Sequence, residues 1–231
     1  MAAAAARPHP LRVEASVDPG LTRWMWLVKW FLAIPHYIVL AFLWIAFVLL
    51  TIVAFFAILF TARYPRALFD FNVGVLRWHW RVLYYAFTVL GTDRYPPFTT
   101  ADVPDYPFRL EIAYPQRLSR GLVLVKWWLL AVPQYIVVAV LMGGSWEREW
   151  YPGLVPFLSL VAVVVLAFTA TYPRPLFDFL TGLVRWTVRV KVYAALMTDT
   201  YPPFRLDMGG REPGPAPEPA DGPQPPAPGT P

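Results

Sequence analysis

The feature that most constrains this chain is an apolar run from Trp24 to Thr61, which is interrupted only by Lys29, Pro35 and His36. A helix over these residues would extend about 57 Å at about 1.5 Å per residue. The hydrocarbon core of a bilayer is only about 30 Å thick, so the run is too long for a single untilted span. It predicts either two short helices or a surface helix followed by one span.

The composition indicates a membrane protein. The chain is 57 % hydrophobic and only 15 % charged, it contains 11 tryptophans, and this balance lies outside the range of ordinary soluble domains. The net charge is +5, but the basic residues flank or interrupt apolar runs, which favours contact with anionic lipid over nucleic acid. The absence of cysteine excludes disulfides, thiolate nucleophiles and most zinc sites.

A second feature is a motif that occurs twice. The sequence YPRALFDF at 64–71 returns as YPRPLFDF at 172–179, and each copy is followed by a glycine, an Arg-Trp pair and a further arginine at the same spacing. A DxYPPF motif then closes each copy, at 93–98 and at 199–204. Because each copy follows a long apolar segment, the chain is predicted to consist of two tandem repeats.

The predicted domain organisation follows from this duplication. We expect a first repeat at 9–98, a linker at 99–105 and a second repeat at 106–207. The ends, 1–8 and 208–231, are rich in Ala, Pro and Gly and cannot bury enough apolar surface to offset the entropy of ordering, so both are predicted to be disordered.

The second repeat is about ten residues longer than the first, and the extra residues fall in the polar stretch 143–153. Insertions are accommodated in loops, not in the middle of a membrane helix. Each repeat is therefore predicted to contain a helical hairpin, at 21–43 and 46–61 in the first and at 121–142 and 154–169 in the second. The alternative is a surface helix before Pro35 and one long span after it.

Residues within the first helix of each hairpin have further consequences. Pro35 and Pro133 remove a backbone donor, so a kink is expected at each. Lys29 and Lys126 lie among tryptophans near the start of a span, where a lysine side chain is expected to extend to the membrane interface.

A third, amphipathic helix is predicted in each repeat, at 67–90 and at 176–197. Asp70, Gly74, Arg77 and Arg81 fall on one line of the first helix at 100° per residue, and the second copy carries the same stripe. An arginine at mid-depth in a bilayer costs at least ~2.5–3.5 kcal/mol unless it is paired or hydrated. We therefore expect these helices to lie in the membrane interface, giving four spans, with six spans as the alternative.

The stripes supply the candidate site. Two interpretations are open: the charged side chains only fix the helix against its surroundings, or they form a cationic groove that holds a lipid phosphate or another anion. An ion pair is also expected between the i and i+4 residues at each helix start. The candidate anion or lipid contacts are Arg66, Asp70, Arg77, Arg81, Arg174, Asp178, Arg185 and Arg189.

Short segments with alternating apolar and charged residues follow three prolines, at 11–14, 108–112 and 204–207. This period suits a half-buried strand, so a small sheet at the membrane surface is predicted, with unpaired extended linkers as the alternative.

The sequence offers no catalytic constellation. His9, His36 and His79 have no metal-ligand spacing with acidic residues, and we expect no metal and no cofactor. Asp70 and Asp178 should stay ionised beside arginines, which does not suit a general acid. An enzyme is not expected.

The motifs together resemble those of the bacterial membrane proteins grouped as domain-of-unknown-function family 4389. The resemblance rests on AIPHYIVL at 33–40 and on the YPR, LFDF, RW and DxYPPF elements, and it covers roughly residues 10–204. Gln134 stands where the first copy has His36, which weakens any role for that imidazole. The resemblance implies an integral membrane protein and brings no activity or catalytic residue with it.

These observations predict an all-α integral membrane protein of two tandem repeats, each a transmembrane helical hairpin with an amphipathic third helix and short strand-like segments at the surface. The positive-inside rule places both termini in the cytoplasm and the protein in the bacterial inner membrane as a multi-pass protein. The predicted function is a non-enzymatic lipid-contacting or scaffolding module. The alternative is a small transporter or channel component with an anion site along the stripes. Expected partners are membrane lipids, including anionic ones, and other membrane proteins or a second copy.

Overall fold

A computed structural model describes residues 9–146 and 149–211 of the chain. The N-terminal segment 1–8 and residues 212–231, which belong to the ends predicted to be disordered, lie outside the described residues. The helices are α1 (Met25–Thr61), α2 (Arg66–Ala86), α3 (Arg120–Val125), a π-helical turn (Lys126–Leu130), α4 (Val132–Met142), α5 (Leu154–Thr169) and α6 (Arg174–Ala194). The strands are β1 (Leu11–Ala15), β2 (Phe108–Ile112), β3 (Gly143–Trp146) and β4 (Glu149–Pro152).

The first apolar run forms one continuous helix, so the hairpin predicted at 21–43 and 46–61 is wrong. Helix α1 continues for 37 residues, through Pro35 and through the predicted turn, and ends where Ala62 adopts a left-handed conformation (φ 57°). It buries one narrow stripe, which includes Ala33, Leu40 and Ala54. Since the run contains no glycine and no polar turn residue, nothing in it terminates the helix earlier.

The second apolar run shows why the hairpin predicted for the first repeat is wrong. Its extra residues form a hairpin of β3 and β4, in which Gly143 pairs with Pro152, so the two ends of the insertion meet. A Cβ atom on Gly153 would lie 2.1 Å from the backbone nitrogen of Gly143, so α5 starts directly against the end of α4. The insertion thus forms a two-stranded hairpin between two helices, and it does not require a turn in α1.

The kink predicted near Pro133 is present. Helices α3 and α4, with the π-helical turn between them, meet at an angle of 45° next to Ala131. Proline at the second position of α4 supplies no backbone donor, so the break lies where that donor would be needed.

The third helix of each predicted repeat is present, four and three residues shorter at its end than the sequence indicated. Helices α2 and α6 each follow a proline, Pro65 and Pro173, and the turns after them contain Leu90 and Leu196 in left-handed conformations. Both helices are buried over most of their circumference, including residues on and off the polar stripe. They form the core of the molecule.

The predicted sheet is confirmed for two of its three segments. Strands β1 and β2 pair in antiparallel orientation, and Val13 faces Leu110 at the centre of the register. The third segment, 204–207, forms no strand. Its neighbour Gly210 instead accepts a hydrogen bond from the Ala15 amide (2.8 Å).

The molecule is layered around the core helices. One side of α2 contacts α1, where Trp78 donates to His36 (3.0 Å), and the other side contacts β2, where Arg77 donates to the carbonyl of Leu110 (2.9 Å). Helix α6 lies in the same way between α4 and β1. We call α1 with α3–α5 the helix layer, and β1 and β2 with residues 99–102 the strand layer.

Within the described residues, one helix is long and apolar enough to cross a membrane, and two are if the bent unit 120–142 is treated as one span. Helix α1 differs from the core helix of a soluble protein because only 17 % of its most apolar window is buried.

Candidate functional site

The central arginines of the two stripes bind the sheet. Arg77 of α2 donates to Leu110 of β2, and Arg185 of α6 donates to Val13 of β1 at 2.9 Å. Since Val13 and Leu110 face each other in the sheet, the two arginines donate to the two members of one cross-strand pair. Arg185 is fully buried and also donates to the carbonyls of Asp207 and Gly209.

The second arginine of each stripe anchors the segment that follows its helix. Arg81 donates to the carbonyls of Thr99 and Ala101 at 2.6 and 2.9 Å. Arg189 forms an ion pair of 2.6 Å with Asp207, which Arg205 also contacts. Burial alone would raise the pKa of Asp207, but the hydrogen bonds from these two arginines hold it below its usual value.

The glycine of each stripe allows the same segments to approach closely. A Cβ atom on Gly74 would lie 2.8 Å from the Cβ of Thr100, and one on Gly182 would lie 3.1 Å from the side chain of Leu206. The shared Asp-Gly-Arg-Arg pattern therefore fixes chain segments to the core helices at its glycine and arginine positions.

The charged residues at the helix starts lie elsewhere, at the surface. The predicted i,i+4 ion pair is present between Arg66 and Asp70 (2.9 Å), and both side chains are more than half exposed. Although Arg174 and Asp178 are both described, no ion pair joins them. The eight predicted site residues thus do not converge on one groove: four are enclosed against other chain segments and four lie at the two helix starts.

Lys29 and Lys126 do not extend outwards as predicted, because both side chains are buried inside the protein. Lys29 pairs with Asp93 (2.8 Å) and Lys126 with Asp199 (2.8 Å). Each ammonium group also donates to the backbone carbonyl of the threonine that precedes its aspartate, at 2.7 Å for Lys29 and 3.0 Å for Lys126. The DxYPPF motif thus folds back over the start of an apolar helix, where its carboxylate compensates for the desolvation of the lysine.

The exchange of His36 for Gln134 has a simple explanation. The indole of Trp78 donates to Nδ1 of His36 (3.0 Å), and the indole of Trp186 donates to Oε1 of Gln134 (2.8 Å). Both side chains serve as hydrogen-bond acceptors, so the position does not require an imidazole.

The most extensive unpartnered feature is the apolar surface of the helix layer. Large apolar side chains are exposed along the whole of α1 and along α3–α5. A soluble monomer rarely exposes a contiguous apolar patch of more than a few hundred Å². On α1 they include Leu27, Phe31, Ile34, Ile38, Phe42, Ile45, Leu49, Ile52, Phe56 and Phe60.

A polar cleft lies at the end of α1, and the sequence did not single it out. It has a volume of about 410 Å³ and is lined by Thr61, Arg63, Gln116 and Arg117. Among the described residues, no carboxylate lies within ion-pair distance of either arginine. The cleft therefore presents two cationic groups at the rim of the apolar surface.

An apolar groove of about 600 Å³ lies between α1, α4 and α6, and it too was missed. Its walls are aliphatic and aromatic, and its one ionisable amine is Lys191. Neither Lys191 nor its neighbour His79 belongs to the repeated motif, which is why a search for shared residues overlooked them.

Within the described part of the chain, no group of three His, Cys, Asp or Glu side chains lies close enough to hold a metal ion.

Comparison with known families gives one match. The sequence model described as "Domain of unknown function (DUF4389)" matches residues 23–100 and 152–205, more than half of the chain. Searches of curated proteins and of solved structures returned no match.

Proposed function

Since the chain belongs to the DUF4389 family, whose function is unknown, we propose a function from its own geometry: a non-enzymatic, lipid-contacting module of the bacterial inner membrane. The observation that supports this most is the exposed apolar surface of the helix layer. Burying a single exposed Phe or Leu side chain in lipid stabilises the embedded state by about 1.5–3 kcal/mol, and this surface offers many of them.

The orientation in the membrane follows from the layers. The strand layer carries exposed charged side chains, among them Arg12, Glu14 and Glu111, on the opposite side of the core from the middle of α1. If α1 stood upright in the bilayer, these charges would lie at mid-depth at high cost. We infer that α1 and α3–α5 lie along one leaflet and that the strand layer faces the cytoplasm. This arrangement replaces the multi-pass topology predicted from the sequence.

Contact with anionic headgroups is supported by the cleft at the end of α1. Arg63 and Arg117 have no carboxylate partner among the described residues, and both line a cleft at the end of α1, at the rim of the apolar surface. Two guanidinium groups in one cleft suit a phosphate group. The stripe arginines 77, 81, 185 and 189 contribute to the fold instead, since they already donate to carbonyl or carboxylate groups of the chain.

The recurring contacts support a duplicated unit. The pairs Lys29–Asp93 and Lys126–Asp199 occupy corresponding positions in the two halves, and Arg77 and Arg185 bind facing residues of the sheet. We propose that the two halves are tandem repeats related by a twofold axis through the sheet.

Membrane retention tests the proposal. Wild-type protein and Ala113→Asp, a variant at the exposed residue directly after β2, should stay in the membrane fraction after an alkaline carbonate wash. Phe42→Asp combined with Ile45→Asp on the helix layer should weaken retention, because both side chains are more than half exposed on that surface. Wild-type protein found in the soluble fraction without detergent would refute the proposal.

A further inference from the structure

The groove between α1, α4 and α6 contains a relay of three side chains from three different helices. The indole nitrogen of Trp44 donates to Nδ1 of His79 (3.2 Å), and Nε2 of His79 lies 3.2 Å from Nζ of Lys191. Thus α1, α2 and α6 each contribute one member. The Lys191 amine also lies 5.2 Å from the ring centre of Trp44 and 4.9 Å from that of Trp80.

The direction of the relay defines the state of the amine. An indole nitrogen can only donate, so Nδ1 of His79 carries no proton and the proton of the neutral imidazole is on Nε2. This Nε2–H then points at Lys191, and only an uncharged amine has the lone pair to accept it. With this tautomer, the 3.2 Å contact between Nε2 of His79 and Nζ of Lys191 requires Lys191 to be an uncharged amine.

The surroundings agree with this assignment. No carboxylate lies within ion-pair distance of Lys191 among the described residues, unlike Lys29 and Lys126. Burial lowers the pKa of Lys191 to about 8, so the amine gives up its proton more readily than a lysine in water, and burial also lowers the pKa of His79 well below its usual value.

The rest of the groove is apolar and opens onto the helix layer. Its walls include Phe47, Phe55 and Leu76, and its rim includes Val48 and Ile52, both about half exposed. A long hydrocarbon chain could therefore enter sideways from the bilayer. A site of this volume with a single amine in otherwise largely apolar walls fits an amphiphile with one small head and one apolar tail.

We propose that this groove binds a long-chain fatty acid, with its carboxyl group at Lys191 and its tail along α1. The acid enters from the membrane in its neutral form and transfers its proton to the amine, which gives a carboxylate and an ammonium group with no net change in charge. The ammonium group then pairs with the carboxylate and faces the rings of Trp44 and Trp80, which stabilise a cation. The Nε2–H of His79 becomes free to donate to the carboxylate.

The two halves of the chain differ at the residues of the relay, so the second half does not repeat the site. The position that corresponds to Lys191 in the first half is Leu83, and the one that corresponds to His79 in the second half is Thr187. The cognate region of the second half is also closed, because Ser159 of α5 donates to the carbonyl of Thr88 there. One groove per chain is therefore expected.

The test is ligand-induced thermal stabilisation of the protein in nanodiscs of zwitterionic lipid. Oleate should raise the unfolding temperature in a saturable manner, and oleyl alcohol, which has the same chain without the carboxyl group, should not. Lys191→Leu, which installs the residue of the first half, should weaken the oleate midpoint at least tenfold. Arg12→Gln, which removes an exposed cation from the strand layer, should leave it unchanged.

A second variant keeps the proposal testable if Lys191→Leu does not fold. Ala194→Phe fills the groove without touching the amine, and it should also abolish the oleate effect. An unchanged oleate midpoint in either variant, an equal effect of oleyl alcohol, or full displacement of oleate by phosphatidylglycerol would overturn the proposal. The inference rests on the proposed function only for delivery of the acid from the bilayer, and membrane retention is scored in a separate assay.

Discussion

Replacing Arg185 with methionine should strongly destabilise the fold, because this buried guanidinium joins α6 to two other chain segments, β1 and residues 207–209. It donates to the carbonyls of Val13, Asp207 and Gly209, so its loss leaves three acceptors without their charged donor. Methionine retains much of the aliphatic part of the side chain and removes the charged guanidinium with its hydrogen bonds.

The magnitude follows from the number of acceptors and their burial. Hydrogen bonds to a charged group contribute about 1.5–3 kcal/mol each, and a buried acceptor left without its donor costs about 1–3 kcal/mol. We expect Arg185→Met to lower the free energy of unfolding by about 3–5 kcal/mol. Arg77→Met should cost about 1–2 kcal/mol, since Arg77 is half-buried and donates to one carbonyl, that of Leu110.

The assay is denaturant unfolding in a mild detergent, followed by tryptophan fluorescence. Arg66→Met serves as the control, because the exposed Arg66–Asp70 pair should contribute less than about 1 kcal/mol. If Arg185→Met unfolded like wild type while losing affinity for an anionic ligand, the arginine would belong to a binding site and the structural role assigned here would be wrong.

Two further predictions concern other parts of the chain. Gly153→Ala should destabilise the protein or displace the β3–β4 hairpin, because the added methyl group would overlap the backbone of Met142 and Gly143. The measurement is the unfolding midpoint of this variant, and the control is Gly144→Ala, since a methyl group on Gly144 would lie in open space. Lys191 should make stability rise between roughly pH 8 and pH 10.5: its pKa is about 8 in the fold and near 10.5 in the unfolded chain, so the unfolded chain binds more protons in this window. This rise should be absent in Lys191→Leu, and an identical pH profile for the two proteins would contradict the assignment of a neutral amine.

Several elements could be predicted because their signal is local. The alternation at 11–14 and 108–112 predicted strands that do pair, and the spacing of Arg77 and Arg81 predicted a helix with one polar face. The i,i+4 pair of Arg66 and Asp70 forms as expected. Each of these features depends on neighbours within a few residues.

The errors arose where the decisive contact lies far along the chain. Lys29 has its partner at Asp93 and Lys126 at Asp199, so neither burial nor pairing could be read from the apolar surroundings of each lysine. The predicted hairpin failed for another reason. An insertion marks a place where chain can be added, and here a strand pair returns the chain to its starting point, so the helix in the shorter half needs no turn.

The groove could not be predicted from the sequence for a third reason. His79 and Lys191 come from opposite halves, and each is absent from the corresponding position of the other half. A comparison of repeats emphasises what the halves share, whereas this pair depends on what differs between them.

The depth of α1 in the bilayer tests the central claim most directly. The chain has no cysteine, so a nitroxide can be attached at single cysteines replacing Phe31, Ile45 and Phe60, which are exposed on nearly the same side of the helix. Relative collision rates with oxygen and with a water-soluble nickel complex give the depth of each label. A helix lying along one leaflet predicts a similar depth at all three positions. A label deep at Ile45 and shallow at Phe31 and Phe60, with the two ends reached from opposite sides of the membrane, would show that α1 spans the bilayer and would contradict the account.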